Sequence, residues 1–130
     1  MEIQIDPTKS DLVLIVNFNG VMNLGYAIFL LDNDGITSLW NPPKTGQNSK
    51  TNNGINGLTL NLTLLNPISF YNGKSLDLEF VFRGVDSELP DFIISATFFQ
   101  QGNAIGNPFI ISGKLNGEEQ DDSIFITMKV

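Results

Sequence analysis

Alternation between apolar and polar positions dominates this chain. In residues 75–83, Leu76, Leu78, Phe80 and Phe82 make one oily row while Asp77, Glu79 and Arg83 make a wet one. Successive side chains of a β-strand point to opposite faces, so this stretch predicts a half-buried strand; a helix would scatter the same residues around its circumference. Residues 58–64 repeat the pattern, with Leu58, Leu60, Leu62 and Leu64 on one face and Thr59, Asn61 and Thr63 on the other. Leucine by itself permits helix, but one-sided burial outweighs that small preference.

Further strands are predicted at 11–19, 26–31, 36–40, 92–100, 108–115 and 123–130, with a short one around Ile3 and Ile5 docking on an edge. In 11–19 the inward set is Leu12, Leu14, Val16 and Phe18. Val13 and Ile15 occupy its other face, which implies a strand covered on both sides or paired near a sheet centre. The last strand carries Ile124, Ile126 and Met128 on one face and Phe125, Thr127 and Lys129 on the other.

Turn chemistry separates these runs. Asp32-Asn33-Asp34-Gly35, Asn72-Gly73, Gln101-Gly102-Asn103 and Asn116-Gly117 combine side chains that bond their own backbone with a glycine free to take positive φ. Residues 118–122, rich in Glu and Asp, are expected to be a solvated link, and 41–56, opening Asn41-Pro42-Pro43, an exposed loop. A helical turn is expected near 65–71 or 86–89.

About eight such strands, with breaks every ten residues or so, fit an all-β, antiparallel β-sandwich of immunoglobulin-like or related Greek-key topology. Alternation does not fix strand tilt or shear, so a closed barrel also satisfies the pattern. At 130 residues, one domain spanning 1–130 is expected.

Composition narrows the chemistry. The chain has no cysteine and no histidine, which removes disulfides, thiolate catalysis, imidazole metal sites and His-assisted serine nucleophiles. Its formal net charge is -7, and the basic residues Lys9, Lys44, Lys50, Lys74, Arg83, Lys114 and Lys129 are scattered. A nucleic-acid surface needs a basic stripe to displace counterions, so nucleic acid is not an expected partner. No apolar run approaches the roughly 20 residues of a membrane-spanning helix, and no leader pattern occupies 1–10; a soluble chain is expected.

Several residues invite a functional reading. Trp40 stands where an apolar run meets a Pro-Pro loop, and Tyr26 and Tyr71 lie near element boundaries. With Asn41, Asn52 and Asn53 they could form a stacking and hydrogen-bonding surface for carbohydrate or protein. Asp32 and Asp34 resemble the opening of a calcium loop, and convergence with Asp121 and Asp122 would make a strand-end cation cup. Asp77 and Glu79 share a face and have a spacing compatible with paired acid and base work. Asn61-Leu62-Thr63 fits the minimal glycosylation acceptor.

The leading expectation is a non-enzymatic binding or assembly module contacting protein or carbohydrate, with a homo-oligomer possible through an exposed strand or face. A calcium-assisted module and a carboxylate-based enzyme are the alternatives.

Overall fold

The computed structural model describes residues 1–20, 22–48, 59–85, 88 and 90–130. They form β1 (Glu2–Gln4), β2 (Val13–Asn19), β3 (Met22–Leu31), β4 (Lys44–Asn48), β5 (Thr59–Thr63), a 3-10 helix (Ile68–Tyr71), β6 (Ser75–Gly84), β7 (Asp91–Gln100), β8 (Asn103–Lys114) and β9 (Glu119–Lys129). Two sheets result: a five-stranded sheet in the order β1-β9-β6-β3-β4 and a four-stranded sheet in the order β5-β2-β7-β8. All pairings are antiparallel except β1 with β9, which is parallel.

The alternating rows meet in one core. Leu14, Val16 and Phe18 of β2 face Leu76, Leu78 and Phe80 of β6, joined by Ile94, Ala96 and Phe98 of β7 and Ile124, Ile126 and Met128 of β9. Phe18 meets Phe80 edge-on at 5.5 Å between ring centroids, and Phe82 meets Phe92 at 4.7 Å. Full burial of each such side chain contributes about 1.5–3 kcal/mol, which is why the period-two pattern fixes which face of every long strand turns inward. β2 pairs on both sides, with β5 and β7, in keeping with apolar residues on both its faces.

Some sequence expectations need correction. Residues 36–40 are not a strand: Asp34 Oδ1 accepts the backbone N–H groups of both Ile36 and Thr37, each at 2.9 Å, and this bends the chain out of the ladder. An isolated bridge, Leu31 with Ser38, remains there. On the side of β3 away from β6, the partner is instead the polar run Lys44–Asn48, inside the expected loop. An edge strand is held by backbone hydrogen bonds and needs no apolar face. For the same reason the acidic residues Glu119, Asp121 and Asp122 belong to β9 rather than to a link. The expected helical turn falls at Ile68–Tyr71; Asp86, Ser87 and Leu89 lie outside the described residues. Among the described residues no helix is long and apolar enough to cross a membrane.

Candidate binding surfaces

Of the expected aromatic platform, Tyr71 is not available at the surface. Tyr71 is 1% exposed, and its hydroxyl accepts the backbone N–H of Asn66 at 2.9 Å, so its ring belongs to the core. Tyr26 is half-buried on the inward row of β3, stacked on Phe18 at 6.0 Å, with its ring lying over Gly46 of β4. Trp40 is half-buried and packs on the core's margin, with Lys44 Nζ 5.6 Å from its ring centroid. Its carbonyl accepts the Ser38 hydroxyl at 2.7 Å, and Asn41 beside it is exposed. Asn52 and Asn53 lie outside the described residues.

The four aspartates of the expected calcium cup do not converge. Asp32 and Asp34 follow β3 at Leu31, which is level with Ser75 and Thr127. Asp121 and Asp122 sit further back along β9, opposite Val81 and Phe80. At a rise of ~3.3 Å per residue, roughly 15–20 Å of sheet separates the two pairs. The first pair is committed locally: Asp32 accepts the Asn33 N–H at 2.8 Å and lies 3.8 Å from Lys74 Nζ, while Asp34 caps the turn. Hydrogen bonds from Thr37 and Ile36 hold the Asp34 carboxyl below its usual range. Among the described residues, no three acidic side chains gather closely enough to hold a metal ion.

Asp77 and Glu79 do share the outward face of β6. Asp77 lies in register between Phe29 of β3 and Phe125 of β9. Burial raises its pKa, and the negative charge of Glu79 adds to the shift.

The outward face of the five-stranded sheet holds a feature that sequence reading missed. Gly25 and Ala27 of β3 are small where Glu79 and Val81 of β6, and Thr45 and Gln47 of β4, stand beside them in register. The result is an open depression of about 410 Å³. A second, of about 480 Å³, lies across β6 and β9 between Glu79, Val81, Asp121 and Ser123. A third, of about 260 Å³, runs past Asn23, Gln47, Arg83 and Glu119. All three border Val81 and adjoin around its side chain, making a shallow trough across the strands that Val81 interrupts. Its lining mixes amides, hydroxyls and carboxylates with one guanidinium. The sequence signal was there in part, since Gly25 and Ala27 are the small outward positions of an alternating strand. Their neighbours in β4 were hidden inside a stretch read as loop.

The opposite face, on the four-stranded sheet, has a different character. Across β5, β2, β7 and β8 its rows read Thr63, Val13, Phe99, Ala104; then Asn61, Ile15, Thr97; then Thr59, Asn17, Ser95, Ile110; then Asn19, Ile93, Ser112. The acceptor motif Asn61-Leu62-Thr63 thus lies on a paired strand. Among the described residues, charge on this face lies at its two margins: Asp91 pairs with Lys114 at the start of β7, and Asp11, just before β2, accepts the backbone N–H of Gln101 at 2.9 Å beyond the other end of β7.

The fold and these surfaces define a two-sheet, all-β protein with a polar trough on one sheet face and charge confined to the margins of the other. Comparison with protein-family models, curated proteins and solved structures finds no match for this chain.

Proposed function

We propose that this chain is a non-enzymatic binding module, a sandwich of immunoglobulin-like or related Greek-key connectivity, that takes a carbohydrate chain along the trough of its five-stranded sheet. The supporting observation is the adjacency of three depressions, of about 480, 410 and 260 Å³, on one sheet face around Val81. A sugar ring offers hydroxyls around its rim and C–H groups on its faces. Gln47, Asn23, Thr45 and Ser123 supply neutral donors and acceptors for the first, Glu79 and Asp121 supply acceptors, and Val81 supplies apolar contact for the second. The abundance of carboxylates here disfavours an anionic ligand, because each would face like charge at short range.

Substitution of Gly25 tests this directly. A Cβ at this position meets nothing closer than 3.9 Å, and valine suits a strand, so Gly25→Val fills the trough without distorting β3. On a glycan array, the wild type is expected to bind a selective set of oligosaccharides and Gly25→Val to lose them, at an unchanged urea midpoint. NMR titration with a bound glycan should shift the amides of Ala27, Gln47 and Val81. A folded wild type that selects no glycan overturns the proposal.

A further inference from the structure

The four-stranded sheet, whose central outward rows carry no charge, lies on the far side of the molecule from the trough, and from it we infer that two copies of this chain associate back to back. This goes beyond the ligand reading and does not depend on it. Ile93 and Ile110 are 51% and 59% exposed there, on adjacent strands and diagonal to one another. Val13, Ile15 and Phe99 are half-buried on the same face and form a second apolar group, separated from the isoleucines by Asn17, Ser95 and Thr97. Thr59, Asn61, Thr63, Asn17, Ser95 and Thr97 surround them with neutral hydrogen-bonding groups.

Charge selects the occupant. Each copy carries a formal net charge of -7, so two copies repel least where the surfaces that meet carry the fewest carboxylates. Contact through the five-stranded face would oppose Asp77, Glu79, Asp121 and Glu119 to their own images. Contact along the open edge of β9 would do the same with Asp121 and Asp122. Over the middle of the four-stranded face, by contrast, an approaching copy meets hydroxyls, amides and aliphatic carbons; the Asp91–Lys114 pair at one margin is neutral overall, and Asp11 at the other is engaged with the backbone N–H of Gln101. A basic partner would be drawn to the acidic side instead, which leaves a second copy as the occupant that fits here.

The size of the face fits a modest interface. Four strands at ~4.8 Å spacing and about seven residues at ~3.3 Å rise give roughly 440 Å² in projection. That is below the ~800 Å² per partner of a standard-size interface, in the range of weak, reversible contacts. The isologous pair predicted in this way is a reversible dimer whose two troughs face outward, so that a polymeric ligand could engage both.

Sedimentation velocity on the full chain, from micromolar to millimolar, tests the inference. The mass is expected to rise with concentration from 14.3 kDa towards the dimer. Added sodium chloride should strengthen association, because it screens the like net charges without weakening apolar contact. Ile93→Glu with Ile110→Glu should weaken association by on the order of tenfold or more. The milder pair Ile93→Thr with Ile110→Thr, which keeps β-branched side chains in the strands, should weaken it several-fold. Val81→Glu, on the opposite face, should leave it unchanged. Circular dichroism identical to wild type confirms that each variant is folded. A wild type that stays monomeric at millimolar concentration overturns the inference. So does a dimer that ignores both isoleucine pairs, that responds instead to Val81→Glu, or that dissociates as salt is added.

Discussion

Gln100 is 3% exposed, and its side-chain amide closes two hydrogen bonds onto one distant residue. Oε1 accepts the backbone N–H of Asp6 at 3.0 Å and Nε2 donates to the Asp6 carbonyl at 3.1 Å. The amide thus imitates a strand neighbour and pins the segment between β1 and β2 to the end of β7. Gln100→Ala would leave both backbone groups without their partner, at a cost of about 1–3 kcal/mol in urea unfolding. A smaller change than about 0.5 kcal/mol would mean that water replaces the amide. Asp77 has the opposite character, since its environment opposes its charge. Its folded pKa is raised, so whatever stability it contributes is present when it is protonated and is lost as pH rises through that raised value. At neutral pH the ionised carboxylate is therefore a net liability. Asp77→Asn should raise the urea midpoint slightly at pH 7, and the advantage should vanish below the ordinary value of 3.8. An unchanged or lower midpoint at pH 7 would contradict the desolvation argument. Neither role was legible in the sequence: one Gln among many gives no sign of a partner 94 residues away.

Among the elements, β9 shows how local polarity can mislead. Its acidic first half was expected to be a link, yet from Glu119 to Thr127 it pairs in unbroken register with β6. β1 covers only Thr127, Met128 and Lys129 on its other side, so among the described residues the stretch from Glu119 to Phe125 is an open edge. Unpaired backbone groups of this kind invite other strands, and charged side chains discourage them. Asp121 on one face and Asp122 on the other guard both approaches. Asp121→Val with Asp122→Val should leave the fold intact but promote aggregation, seen as rising light scattering at concentrations where the wild type stays clear. Clear solutions of the double variant would show that something other than charge protects this edge. β4 carries the same lesson, because Lys44–Asn48 became a strand through the backbone of β3, with no apolar periodicity to announce it. The converse happened at 36–40, where an apolar run was diverted by the Asp34 cap.

For the molecule as a whole, the alternating rows of β2, β6 and β7 determined that the chain would be all-β and which side chains would fill its interior. That much is local physics: a strand presents every second residue to the same side, and burying an apolar row stabilises one orientation over the other. The absence of histidine and cysteine, and the net charge, were equally plain. Only the tertiary structure decided which strands became neighbours and therefore which outward rows joined. Gly25, Val81 and Ser123 border one trough although three separate strands supply them. Val13, Phe99 and Ile110 share one outward face, Asp32 and Asp121 lie well apart, and Tyr71 is enclosed. Strand order and register are set by hydrogen bonding and packing between segments far apart in the chain, to which a pattern read a few residues at a time has no access.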